Sequence, residues 1–559
     1  MKRKDFYWLT DNSRLFLSRG YLMEGQTAED RVRQIAERAQ EILGFEGFAD
    51  KFYDYMSKGY YSLSTPVWTN FGNNRGMPIS CFGSSMDDNM GSILHAASEV
   101  GIMSKLGGGT SGHFGNLRPR GAEIKNNGTS SGAVHFVKLF EQMTDTVSQG
   151  SSRRGRFAPY LPIDHPDIHE FLEIGTEGNE IQSVNHAVTV TDDWMIKMIG
   201  GNKEKRAVWA KVLQRRIEMG YPYIFFTDTV NNNKPEWYKD YKINHSNLCA
   251  EIALPNNESW SFVCNLSSMN ALHFDEWKDT DAVETMIYFL DAVMSEFIEK
   301  LEALRDSETL DDQLSFRFIE RAYNFAVANR ALGLGVLGWH SLLQSQMIPF
   351  ESVHASLLNE QLFKTIREKA ELASEFLATK FGEPEVLKGT GRRNATLMAI
   401  APTTSSAFIL GQVSQSIEPL WSNNYVKDMA KVKVTVQNPY LKELLAEKGQ
   451  DTRETWVDIR NHDGSVQHLD YLDENEKNVF KTFSELNQYE VINQASIRQK
   501  YIDQSQSLNI MVNPETSTKD LNALYIYAWE QGIKTLYYQH STNAAQKFSQ
   551  SNVCLSCEA

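Results

Sequence analysis

Cysteine is scarce in this chain: five among 559 residues, irregularly spaced, which excludes a disulfide-built scaffold and fits a reducing compartment. Long apolar runs are missing too. No stretch of about 18 consecutive apolar residues occurs, so no segment is expected to span a bilayer. The basic opening MKRKDFYWLTDNSRLF lacks the apolar core of a secretory signal, and the expected location is the cytoplasm. A surplus of positive charge is also lacking. At a net charge of −15 the chain is ill suited to a broad nucleic-acid surface, which needs concentrated Lys and Arg. A small phosphorylated ligand stays open, because a few local donors hold one. There is no tandem repeat and no low-complexity linker.

What is present is a large soluble chain with 41% apolar and 23% charged residues, ample for a substantial core. From Thr27, residues Val32, Ile35, Ala36, Ala39, Ile42 and Leu43 recur at three- and four-residue steps, with Gly44 placed to stop the helix. AVTVT (187–191) and YPYIFFTDT (221–229) have the β-branched and aromatic bias of buried strands. Residues 281–304 and 356–381 read as amphipathic helices, and ATLMAIAP (395–402) as a strand running into Thr403, Thr404, Ser405 and Ser406. The alternation predicts an α/β architecture with parallel pairing. Periodicity does not separate an open sheet from a closed barrel.

Each thiol admits a chemical role. In Asn247-Leu-Cys249-Ala-Glu251, an extended backbone turns the amide, thiol and carboxylate to one side, a set suited to a hydroxylated substrate. The bland alternative is a buried cysteine ending a strand. Cys81 and Cys264 stand singly in apolar, strand-like segments; either alone reads as core, and together they form a reversible disulfide if their Cα atoms come within roughly 4.4–6.8 Å. Cys554-x-x-Cys557, in a polar stretch from Ser541 expected to be a mobile tail, suits thiol-disulfide exchange better than zinc, which needs four ligands. Tyr537-Tyr538 by itself reads as packing.

Lys105-Leu-Gly-Gly-Gly-Thr-Ser-Gly112 lacks the order of a Walker loop and reads as a close backbone approach to a ligand. Thr403–Ser406 reads as an anion site or as an ordinary helix cap. Gln149–Arg156, with three arginines, reads as a solvated loop or as a phosphate or base contact.

Taken in order, STP at Ser64–Pro66, Ser80-Cys81, NLCAEI, Cys264, APTTSS, LYYQ and the terminal cysteines resemble the large catalytic subunit of a class I ribonucleotide reductase. The likeness runs from about Ser64 to the C-terminus. It implies a ten-stranded α/β barrel with a finger loop (76–545), preceded by a helical lobe (1–75) and followed by a flexible redox tail (546–559). By the resemblance, Cys249 becomes a thiyl radical that removes the 3′ hydrogen of a ribonucleoside diphosphate. Glu251 acts as base on the 3′ hydroxyl, and Asn247 holds the substrate hydroxyls. Cys81 and Cys264 deliver the reducing equivalents and finish as a disulfide. Cys554 and Cys557 reopen it and are recharged by thioredoxin or glutaredoxin. Tyr537 and Tyr538 relay the radical from a separate small subunit that carries the radical cofactor, because a thiolate or carboxylate alone cannot remove a carbon-bound hydrogen.

The resemblance further implies that Thr65, Ser80, Gly109 and Thr403–Ser406 line the substrate site. Asp88, Asn89, Met90, Arg118 and Lys125 would bind deoxynucleotide or ATP effectors with Mg, the loop Gln149–Phe157 would relay effector identity, and the helix Ser92–Leu106 would join two large subunits in a homodimer. No metal site on this chain is implied. The basic opening of the N-terminal ATP-binding module of many relatives is missing, so no dATP switch is expected here. An adenosylcobalamin-dependent enzyme shares barrel and cysteines but lacks the tyrosine pair. A glycyl-radical enzyme would carry an RVxGY-type motif, which does not occur. A silent nucleotide-binding paralogue would have lost a thiol, a tyrosine or Glu251, and a plain thiol oxidoreductase accounts for the tail alone.

Overall fold

The computed structural model describes residues 5–79, 81–149, 155–429 and 432–541. Ser80, most of the loop Gln149–Phe157 and both tail cysteines, Cys554 and Cys557, lie outside the described residues. The helix Ala28–Leu43 begins at a capping box: the Thr27 hydroxyl accepts from the Asp30 N–H, and the Asp30 carboxylate accepts from the Thr27 N–H. It ends at Gly44 in the left-handed region (φ 65°), where the absence of a Cβ removes the steric cost. Val32, Ile35, Ala36, Ala39 and Leu43 are buried, as their spacing predicts, against the helices Phe48–Ser57 and Ala282–Arg305.

After β1 (Tyr61–Leu63) the chain alternates between strand and helix. β2 (Cys81–Ser85), β3 (Gly109–His113), β4 (Phe157–Pro162), β5 (Ala187–Val190) and β6 (Tyr223–Phe226) lie side by side, all parallel. β7 (Phe262–Asn270) runs antiparallel to β2, and β8 (Leu332–Leu337) runs parallel to β7. Two extended segments continue this second set through the parallel bridges Leu334↔Met398 and Ile400↔Gln506. A hairpin of β9 (Asn424–Met429) and β10 (Val432–Gln437) forms a separate sheet, and β11 (Ile510–Val512) follows the second extended segment. β12 (Thr535–Leu536) then pairs antiparallel with β6, while Tyr537 N–H donates to Leu508 O at 2.9 Å. β13 (Gln539–Ser541) lies parallel to β11.

Five parallel strands (β2–β6) thus face a second five (β7, β8, the segments at Met398–Ile400 and Gln506, and β12), giving the ten positions of the expected barrel. The barrel form was the point that periodicity left open. Every residue of β7 is buried, because helices cover one face and the barrel contents the other. Close packing around β8 requires Gly333: a Cβ there would stand 2.3 Å from Leu266 and 3.0 Å from the Cys264 sulfur.

Candidate active site

The thiol pair is positioned by strand register. Cys81 opens β2 directly opposite Cys264 of β7. Opposed residues of an antiparallel pair have Cα atoms roughly 4.5–5.5 Å apart, within the range a disulfide spans. Both are thiols here, as is Cys249.

Cys249 comes from a different kind of element. Residues 239–261 carry no strand, and this long connection from β6 to β7 enters the barrel. Its turn is not the extended segment on which the Asn-x-Cys-x-Glu alternation depended. Ala250 N–H donates to Asn247 O at 3.3 Å, and Ala250 is left-handed with φ 64°, a conformation costly for a residue with a Cβ. The Asn247 side chain builds the turn: its Oδ1 accepts from the Glu251 and Ile252 N–H groups at 3.1 and 3.2 Å. Convergence of Asn247 and Glu251 therefore comes from a turn, and it is direct, Nδ2 donating to Glu251 Oε1 at 2.9 Å.

The turn meets the thiol pair through Cys81, whose sulfur lies 3.9 Å from Glu251 Oε1 and 3.5 Å from Asn247 Nδ2. Ser507 closes the other side, its hydroxyl 2.6 Å from Cys249 O and 3.1 Å from Glu251 Oε2. Glu251 is wholly buried, and desolvation pushes its carboxyl up to about 7 against the pull of hydrogen bonds from its own backbone, Asn247, Ser507 and Cys81. Burial likewise pushes the Cys264 thiol far above its ordinary value.

Cys249, Leu248, Ala250 and Ala253 share one buried cluster with Tyr160, Tyr223, Phe225, Tyr537 and Tyr538. The rings of Tyr537 and Tyr538 stand 4.5 Å apart, and Tyr223 packs on both at 4.7 and 5.1 Å. The Tyr538 hydroxyl accepts from Asn185 Nδ2 at 3.0 Å. The tyrosine pair therefore lies in the same largely buried apolar cluster as Cys249.

Around this interior, Gly109 pairs in register with Cys81. Thr65 begins a short helix after β1, and the Ser406 hydroxyl donates to Leu63 O at 3.4 Å, bringing the 403–406 segment to the same corner. Thr403 is left-handed (φ 55°) and opens the helix Thr404–Ile409. Thr404 Oγ1 donates to Gln415 at 3.2 Å, and Ser405 is buried. On the far side of β2, Asp88 accepts from Arg118 Nε at 2.6 Å, and Asn89 caps the helix Met90–Lys105. Lys125 is exposed in the adjoining loop, near Glu123, whose carbonyl accepts from Arg118.

Several residues at the site went unread in the sequence. Tyr160 donates to Asn247 O at 2.7 Å; Ser507 and Gln504 touch the finger loop or its thiol partner. A signal existed for the last two: DQSQS (503–507) is a polar run between apolar Ile502 and Leu508, and its residues 504–507 are buried.

Comparison with known proteins agrees with this geometry. The family described as ribonucleotide reductase, barrel domain, matches residues 79–205, 201–389 and 384–539, and the ribonucleotide reductase all-alpha domain matches residues 7–76. A putative ribonucleoside-diphosphate reductase large subunit of Frog virus 3 is 35% identical over 511 residues, covering 88% of this chain and 87% of that protein. The ribonucleoside-diphosphate reductase large subunit of Invertebrate iridescent virus 3 is 30% identical, covering 97% of each chain. Among solved structures, the Actinobacillus ureae class Id ribonucleotide reductase alpha subunit superposes with a TM-score of 0.90 at 54% identity, over 98% of this chain and 99% of that one. With its barrel, its opposed thiols and its buried finger turn, the chain belongs to the family of ribonucleotide reductase large subunits.

Proposed function

We propose that this chain reduces ribonucleoside diphosphates to 2′-deoxyribonucleoside diphosphates for DNA synthesis, with Cys249 as the hydrogen-abstracting thiyl. One observation carries the reading: Cys249 shares a buried cluster with Tyr537 and Tyr538, while the adjoining Asn247 and Glu251 touch Cys81. The radical originates on a small subunit and reaches Cys249 through the two tyrosines. Cys249 takes the 3′ hydrogen, Glu251 takes the 3′ hydroxyl proton, and Asn247 orients the hydroxyls. The 2′ hydroxyl leaves as water with a proton from the thiol pair. Cys81 and Cys264 give up two electrons and two protons in all and become a disulfide, and the 3′ hydrogen returns from Cys249. The product is thus one deoxynucleotide, one water and one disulfide per nucleotide.

The barrel wall excludes water, which protects the radical from side reactions. Substrate phosphates meet Thr65, Ser80, Gly109 and Thr403–Ser406. Effector nucleotides with Mg bind at Asp88, Asn89, Met90, Arg118 and Lys125 beside a homodimer contact. The tail cysteines Cys554 and Cys557, recharged by thioredoxin or glutaredoxin, reopen the disulfide. Among the described residues no helix is long and apolar enough to cross a membrane.

The test is reduction of CDP with dithiothreitol and ATP, with the cognate small subunit in one reaction and adenosylcobalamin in another. Turnover only with the protein partner is expected. Turnover with cobalamin alone would make Tyr537 and Tyr538 core packing and sink the relay.

A further inference from the structure

One buried side chain contacts a reacting sulfur and has no part in the chemistry above. The Gln504 amide nitrogen lies 3.3 Å from Cys264 Sγ, 3.0 Å from Leu332 O and 3.0 Å from Thr396 Oγ1. Its amide oxygen accepts from Ala253 N–H, just beyond the finger turn, at 3.1 Å. The Ala253 N–H donor and the Leu332 carbonyl acceptor fix which end of the amide is nitrogen, since a carbonyl cannot face a carbonyl.

The backbone beneath is held rigidly. Asp503 accepts from Arg367 at 2.7 Å and from the Leu397 and Met398 N–H groups at 2.8 and 2.9 Å. The buried Lys534 ammonium donates to the carbonyls of Asp503 and Gln504 at 2.8 and 2.9 Å. A primary amide has two hydrogens, and here they face three acceptors. Thr396 donates its own hydrogen to Leu332 O at 3.0 Å, so neither Thr396 nor Leu332 depends on Gln504 alone. One N–H is therefore available to turn toward sulfur when sulfur gains charge.

The two sulfurs of the opposed pair are unequal. Cys81 keeps 7% of its surface exposed, and Cys264 has none, enclosed by Leu266, Gly333 and Gln504. An incoming thiolate reaches Cys81 and leaves Cys264 as the departing group. Departure deposits an anion in an apolar wall, where an unpaired charge is costly. Burial raises the Cys264 thiol, and the Gln504 hydrogen bond is the group that pulls it back.

We propose that Gln504 is the hydrogen-bond donor that stabilises the Cys264 sulfur as it leaves the Cys81–Cys264 disulfide, a role that rests on the proposed redox cycle of this pair. In the step, a reductant thiolate forms a bond to Cys81 Sγ and the Cys81–Cys264 bond breaks. The electron pair departs on Cys264 Sγ beside the Gln504 N–H, and a proton follows. A second reductant thiol then displaces Cys81, so the reductant ends oxidised and both cysteines end as thiols.

The test uses the full chain, oxidised with diamide, and follows reopening by dithiothreitol through mass mapping of alkylated Cys81 and Cys264. Gln504→Glu keeps the acceptor for Ala253 but loses the donor when ionised; Gln504→Met fills similar volume with no donor. Opening in Gln504→Glu is expected to fall about tenfold relative to wild type near pH 8 and to recover toward wild type near pH 6, where the new carboxyl regains its O–H. Gln504→Met is expected to be slow at both, with CDP affinity within about twofold of wild type.

Wild-type rates in both variants would overturn the proposal. So would failure of the Cys81–Cys264 disulfide to form, or a pH-independent loss in Gln504→Glu that tracks lost thermal stability. Wild-type CDP reduction is measured in parallel. Its absence beside a Gln504-dependent opening sinks the reductase reading and leaves the donor in place, whereas turnover with both variants opening normally sinks the donor alone.

Discussion

Glu251 illustrates how burial sets chemistry at the level of one residue. Burial pushes its carboxyl from the ordinary 4.5 up to about 7, so the folded state holds its proton more tightly. The stability this contributes is complete below the unfolded value and is lost as pH rises through about 7. Glu251→Gln is thus expected to abolish CDP reduction while raising stability near pH 8 by on the order of 1–3 kcal/mol, read by denaturant melts at two pH values. In the wild type, kcat should climb with pH through about 7 as the base ionises; a flat profile would remove Glu251 from the proton step. The tyrosines give a second test at this scale. Tyr537→Phe and Tyr538→Phe each keep the ring packing at 4.5 Å but remove the oxidisable phenol. Turnover is expected to fall at least about a hundredfold, equivalent to some 3 kcal/mol, with CDP binding unchanged. Full activity in either variant would return the pair to the core-packing role.

The finger turn is an element whose shape had to be seen. Asn247, Cys249 and Glu251 were legible as a chemical set, yet the alternation of an extended strand was the wrong geometry for them. The actual device is an asparagine-capped turn with a left-handed Ala250. Alanine gives no hint of positive φ, as glycine or asparagine would, so the sequence signal was absent. Ala250→Val places a β-branched side chain at φ 64° and is expected to destabilise the fold by about 1–3 kcal/mol and to depress kcat more than KM. Ala250→Gly, which tolerates that φ, should stay within about 1 kcal/mol of wild type. Equal stability of the valine and glycine variants, measured by thermal melts, would show that the turn carries no strain. The helix Ala28–Leu43, by contrast, was readable to within a residue, because cap, apolar stripe and stop glycine all fall on the local chain.

At the scale of the whole molecule, the helix Met90–Lys105 packs on the helix Leu310–Asn329, and both expose apolar side chains. Met90 and Leu94 are 56% and 50% exposed, with Leu310 and Leu314 exposed on the neighbouring helix. Exposed apolar side chains on this helix, Met90 and Leu94 above all, suit the proposed homodimer contact beside Asp88 and Arg118. Leu94→Arg is expected to shift effector-bound protein from dimer to monomer in sedimentation and to blunt the effector response. Unchanged sedimentation would move the dimer contact elsewhere on the molecule.

The sequence by itself named the residues proposed to carry chemistry, and it determined that helices alternate with buried strands and which local segments become helices. Those properties reside in side-chain type and short-range spacing. Only the tertiary structure decided that the sheet closes into a barrel, that Cys81 lies directly opposite Cys264, and that Gln504 and Ser507 reach the same interior. These relations join residues far apart along the chain through strand register and crossover, for which a single sequence holds no distance information.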